Sequence, residues 1–217
     1  MVPTPQLQLR QEHGRTLAAR FWPLAAPMLA ISSAPLGGGM GLRQWVLNVQ
    51  VPHDYDGAVP AQHLAELAAA SGLTGSGIGM MTAVDVRTAS VVHQEGVSVD
   101  ATVGVTGPQW AAADHVAWDA GLPATTVGTI NIVITLPERL SDAALVNAVS
   151  TATEAKSQAL WEAGVGGTGT ATDALCVLCP PEGTGHPYGG PRSLWGARLA
   201  RAVHRAVLAG CQPGHPS

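Results

Sequence analysis

The sequence predicts an α+β fold in a single domain: a largely antiparallel or mixed β-sheet layered with helices. Three observations predict it. Strand-like runs joined by short turns fill the middle of the chain, and the two longest helical patterns fall in its last third. With 217 residues, 46% hydrophobic and 12% charged, the chain can build one sizeable core and is too apolar for disorder. No period of solenoid length and no low-complexity tract is present.

The elements follow in order. Residues 1–25 are expected to fray, with the folded domain over 26–210 and a disordered tail over 211–217. Gly41–Val51 sets Trp45, Leu47, Val49 and Val51 at period two, a strand. Pro60–Gly72 is a helix opened by proline and closed by glycine. "GIGMMTAV" and "TASVVHQEG" flank Asp85–Arg87 and predict a hairpin or two short strands. Val97–Gly107 alternates as a further strand. Thr125–Leu136 is the strongest strand, rich in β-branched residues and ended by Pro137. Ser141 caps a long helix running to about Gly164. "DALCVLC" is a strand stopped by Pro180 and Pro181, and Arg192–Gly210 an amphipathic helix.

Composition narrows the function. The net charge is −4 and Lys156 is the sole lysine, so a phosphate-tracking surface for nucleic acid is not expected. Arg192, Arg198, Arg201 and Arg205 read as a solvated helix face. Cys176, Cys179 and Cys211 make no disulfide framework. The C-x-x-C of Cys176 and Cys179 reads as two small core residues, in keeping with a reducing cytoplasm. No apolar run is long enough to span a bilayer and no signal peptide opens the chain, so a soluble cytoplasmic protein is expected. An assembly of identical copies is compatible with the sequence.

Four segments hold residues that could do chemistry. "ISSAPLGGGMG" places Ser32 and Ser33 before glycines that let main-chain N–H groups approach an oxygen-rich ligand, or simply form a turn; it is neither a Walker loop nor a dinucleotide fingerprint. Asn131 in a buried strand must have its amide bonded; it either pins a loop or orients a substrate amide or oxyanion. Asn147, Thr151, Glu154 and Gln158 share one helix face, either solvated or a hydrogen-bonded wall. "GGTGTATDALCV" brings a glycine–threonine loop to Asp173 at a strand edge, a turn cap or a catalytic carboxylate. The histidines of Pro52–Asp56 and Ala113–Asp119 read as solvated loops. No nucleophile elbow and no metal-binding spacing is present.

Taken in order, "ISSAPLGGG", "VLNVQVPHDYDG", "GMMTAVDVRTASV", "GTINIVI", "ALVNAVSTATEAKSQAL", "GTGTATDALCV" and "YGGPRSLWGARLARAV" resemble the adenosylcobinamide amidohydrolase family, the CbiZ enzymes of corrinoid salvage. The resemblance runs from about Leu29 to Ala209. It implies hydrolysis of the amide joining aminopropanol to the corrin ring of adenosylcobinamide, giving adenosylcobyric acid. It implies a corrinoid substrate that brings its own cobalt, with no further cofactor or protein-bound metal. On that reading Glu154 or Asp173 is the general base, and Asn131 with main-chain N–H groups of Gly167–Thr170 holds the oxyanion. Lys156 supplies positive charge or points to solvent. A rival mechanism uses Thr170 or Thr129 as a covalent nucleophile. Ser32, Ser33, Gly38, Asn48 and Asn147 would bind the amide fringe of the corrin. The alternatives are a non-catalytic corrinoid-binding or trafficking module and a small-molecule amidase of Ntn-like type. One departure stands out: "GVTGPQWAAAD" has Gly107 and Pro108 where family members tend to carry an asparagine.

Overall fold

The computed structural model describes residues 3–12, 14–55, 59–113 and 128–212. Eight strands and three helices follow in the order β1 (Gln6–Glu12), β2 (Arg15–Ser32), β3 (Gly39–Gln50), α1 (Pro60–Ala70), β4 (Gly77–Thr82), β5 (Ser90–Gln94), β6 (Val97–Val103), β7 (Ile130–Thr135), α2 (Asp142–Glu162), β8 (Ala174–Cys179) and α3 (Leu194–Gly210). The strands form one mixed sheet in the order β4-β3-β2-β8-β7-β6-β5, with β1 on β2. The α+β expectation is met. One expectation is corrected and one alternative is decided. Residues 6–12 and 15–25 are not frayed: β1 pairs antiparallel with β2 from Gln6↔Phe21 to Glu12↔Arg15. "GIGMMTAV" and "TASVVHQEG" are two strands and not a hairpin, because β4 pairs in parallel with β3 and β5 with β6, at opposite ends of the sheet. Residues 56–58, 114–127 and 213–217, which include Asp56, most of Ala113–Asp119, the start of Thr125–Leu136 and most of the expected tail, lie outside the described residues.

The sheet folds onto itself. In a flat sheet β3 and β7 would lie three strand spacings apart, roughly 14 Å. Yet Asn131 of β7 donates to Asn48 Oδ1 of β3 at 2.8 Å and to the Met81 carbonyl of β4 at 3.0 Å. Asn48 in turn donates to Thr102 Oγ1 of β6 at 3.1 Å. Arg20 of β2 reaches Asp100 of β6 across the same gap. The hinge is β2, whose pairing with β3 shifts register between Pro23 and Met28. Pro23 and Pro27 have no N–H to give a ladder, so the strand bends there.

Folding the sheet gives four layers. Leu47, Val49 and Phe21 pack beneath α1 through Leu64. Trp22, Val46, Ile78, Met80, Val133 and Cys176 fill the space between the two halves of the sheet. Ile130, Ile132, Ile134 and Val177 carry α2 and α3 on the far side. Every residue of β6, β7 and β8 is therefore buried on both faces. The expected cap of α2 is present, Ser141 accepting from the Ala144 N–H, and Ser193 caps α3 in the same way by accepting from the Gly196 N–H. Cys176 and Cys179 are buried side chains of β8, as expected, and burial pushes the Cys176 thiol up to about 12. Among the described residues no helix is long and apolar enough to cross a membrane.

Burial pushes the Asp100 carboxyl above its ordinary range, and Arg20 pulls it back without cancelling the shift. Protonation of Asp100 thus favours the folded chain, a contribution complete below about pH 4 and lost as pH rises through the raised folded value. At neutral pH the guanidinium is what makes the buried carboxylate tolerable. Arg20→Met should cost about 3–5 kcal/mol in urea unfolding at pH 7, less at pH 5, and Arg20→Met/Asp100→Leu should recover most of that loss.

Candidate active site

The carboxylate of Asp173 lies at the entry to β8 and gathers four donors. Lys156 Nζ of α2 reaches Oδ2 at 2.5 Å and the Thr170 N–H reaches it at 3.1 Å. Thr170 Oγ1 donates to Oδ1 at 2.6 Å, and the Ile130 N–H at the start of β7 donates to it at 2.9 Å. Lys156 and Asp173 side chains are only 12% and 14% exposed. The sole lysine of the chain thus lies mostly out of water against one carboxylate, with which it makes a close ion pair.

Local sequence explains the arrangement. The loop Gly166–Thr172 is held from below by Ser157, whose Oγ donates to the Thr168 carbonyl at 3.1 Å. It is held from the side by Gln109, which exchanges main-chain hydrogen bonds with Gly169 and Thr168, each at 2.9 Å. A Cβ at Gly169 would run into both Asp173 Oδ2 and Lys156 Nζ, so only glycine lets the lysine and the carboxylate meet beneath the loop. Thr129 and Thr172 hydroxyls bond each other at 2.7 Å beside it.

The other expected site residues divide. Ser33 belongs to this end of the sheet: its N–H donates to the Leu175 carbonyl and its Oγ accepts from the Leu175 N–H, two residues past Asp173. Ser32 is buried and its Oγ accepts from the Ala34 N–H. Gly38 is exposed in a turn whose carbonyls at Gly37 and Gly38 are gathered by Arg43; the expected cradle of main-chain N–H groups is instead a cradle of carbonyls around a guanidinium. Asn48 is 2% exposed and Asn131 is 1% exposed, each bonded between the two halves of the sheet. Both N–H groups of Asn131 donate within that interior, which corrects the expectation of an oxyanion donor and gives the residue a clasping role. Asn48 likewise has no surface to grip a ligand.

The polar stripe on α2 faces α3 rather than Asp173. Thr151 Oγ1 donates to the Gly189 carbonyl, Asn147 is exposed beside Gly190, and Glu154 is exposed in a depression of about 250 Å3 with Arg201, His204 and Arg205. Glu154 and Asp173 are therefore not brought together. The expected main-chain oxyanion donors are mostly committed: Gly167 N–H to Val165, Thr168 N–H to Gln109 and Thr170 N–H to Asp173. Among the described residues, the Gly169 N–H alone of these four has no acceptor. Sequence reasoning missed the close packing at Gly169, Ser157 and the Thr129–Thr172 pair; the spacing T-x-x-D in "TATD" was the available signal for a threonine turn onto Asp173.

Thr170, Asp173 and Lys156 thus set a hydroxyl, a carboxylate and an ammonium in one hydrogen-bonded line, groups of the kind that acyl transfer uses. The family model of adenosylcobinamide amidohydrolases, CbiZ, matches residues 4–214, and the chain belongs to that family. An adenosylcobinamide amidohydrolase of Methanosarcina mazei is 31% identical over 83% of this chain and 88% of its own length. One of Halobacterium salinarum is 32% identical over 86% and 81%. A crystal structure of the PH0078 protein of Pyrococcus horikoshii OT3 overlays with a TM-score of 0.49 and 11% identity, covering 89% of this chain and 77% of that one.

Gly169→Ala should lower kcat by on the order of 100-fold by pushing Lys156 from Asp173, with circular dichroism unchanged. Kinetics on the purified variant check it, and full activity would show that the Lys156–Asp173 contact is dispensable.

Proposed function

We propose that this chain hydrolyses the amide that joins aminopropanol to the corrin ring of adenosylcobinamide, releasing adenosylcobyric acid for corrinoid salvage. The supporting observation is the Thr170–Asp173–Lys156 line in a member of the adenosylcobinamide amidohydrolase family. Thr170 is the nucleophile. Its Oγ1 attacks the carbonyl carbon while its proton passes to Asp173, and the Gly169 N–H receives the developing oxyanion. The C–N bond breaks as the amine nitrogen takes that proton, and aminopropanol leaves. Water then attacks the Thr170 ester. One of its protons travels through Asp173 back to Thr170 Oγ1, and the corrinoid acid is freed. Lys156 keeps Asp173 in place and balances its charge through both steps. Water is the weaker candidate for first nucleophile, because Asp173 has four donors already and, among the described residues, no second carboxylate shares a hydrogen bond with it. Ser33, at the same end of the sheet, is placed to meet the amide fringe of the corrin.

Incubation with adenosylcobinamide should give adenosylcobyric acid by mass spectrometry. Thr170→Ala should lower kcat by roughly 10³-fold or more and Thr170→Ser should keep most of it. A Thr170→Ala enzyme within about tenfold of the parent would hand the attack to water. A corrinoid that co-elutes without product would make the chain a binding module.

A further inference from the structure

The chain has six tryptophans. Trp22, Trp45 and Trp195 are buried, as large indoles ordinarily are. Trp110 and Trp161 are not: they are 49% and 71% exposed. They also meet each other edge to face, with ring centroids 6.5 Å apart at 62°. Two indoles in contact on the surface form an apolar corner with an open ring face, which water covers poorly.

The corner is fastened to the candidate site from both sides. Trp110 follows Gln109, whose main chain is bonded to Gly169 and Thr168, and the Ala111 N–H donates to Thr168 Oγ1. Trp161 lies on α2 one turn and a residue past Lys156, the ligand of Asp173. The same loop, Gly166–Thr172, thus carries Thr170 on one flank and supports the aromatic corner on the other.

We propose that Trp110 and Trp161 form a stacking platform for the adenine of the substrate's adenosyl group, so that this surface selects the adenosylated corrinoid. This rests on the substrate class proposed above. Adenine is flat on both faces and stacks on indole without sequence of hydrogen bonds to satisfy. A corrin carries methyl and amide arms projecting from both faces of a partly saturated ring, which hold an indole away. Of the substrate's two ring systems, the purine is the one that fits an open indole face.

Equilibrium dialysis with adenosylcobinamide and with dicyanocobinamide, which lacks the adenosyl group, tests this apart from turnover. Trp161→Ala and Trp110→Ala should each weaken adenosylcobinamide at least about tenfold and leave dicyanocobinamide unchanged, with Trp161→Phe restoring most of the affinity. In turnover the loss should fall on KM. Both rings are exposed, so circular dichroism should not change; if Trp110→Ala disturbs the Gln109 contact, Trp161→Ala decides alone. Equal weakening of both corrinoids would assign the platform to the macrocycle and overturn the proposal, as would unchanged affinity or no binding by the parent protein. Discrimination in binding without any hydrolysis would sink the amidase reading and leave the platform standing.

Discussion

Everything in this structure depends on closing one sheet upon itself, and that closure is held by polar groups in its interior. A purely apolar interface between the sheet halves would be satisfied by many sliding registers. Arg20 against Asp100 and Asn131 against Asn48 and Met81 favour one, because these donors and acceptors meet only when the strands lie in this alignment. Taking a guanidinium and a carboxylate from water is costly, and the pair is a poor source of net stability. What it contributes is position. Arg20 also lies over the Trp22 ring, its carbon 5.7 Å from the centroid, so the cation is held on its other side as well.

Position matters because the site is assembled where the folded sheet presents the ends of several strands. β7 and β8 run parallel, so their first residues, Ile130 and Ala174, open at one edge. There the Ile130 N–H has no ladder acceptor, and Asp173 supplies one. The same carboxylate oxygen takes the Thr170 hydroxyl. A single residue therefore finishes a strand and orients the hydroxyl, and the fold and the site share an atom.

Much of the secondary structure was legible from sequence: the period-two run of β3, the β-branched run of β7, the proline-opened α1 and the serine-capped α2. The folding-over was not. Ser98, Asp100 and Thr102 alternate with Val97, Val99, Ala101 and Val103, which as a pattern means one wet face. All seven residues are buried, because the polar face meets the other half of the sheet and finds partners there. The N-terminal hairpin was missed for a related reason: Gln6, Gln8 and Glu12 look unfit for a core, yet an edge strand needs none. Asp173, Thr170 and Lys156 were each visible as candidates, but their convergence depends on a loop turning beneath Gly169. Asn48 and Asn131 were visible as buried amides that need partners, and only the closure shows that Asn131 donates to Asn48, while Asn131 Oδ1 is left without a partner among the described residues.

The departure at Gly107 and Pro108 acquires its meaning from that loop. Gly107 adopts a positive φ of 62°, and Gln109 two residues on is strapped to Gly169. No asparagine stands at 107 or 108. The main chain that remains still fixes Thr168 and Gly169 from the side, while Ser157 fixes them from below. The hydroxyl–carboxylate–ammonium line is thus held by backbone bonds on two flanks, independent of the side chains at 107 and 108. Substitution there can change what the rim recognises without moving Thr170, Asp173 and Lys156, the groups proposed to break the amide, which would separate selectivity from chemistry along a single loop contact.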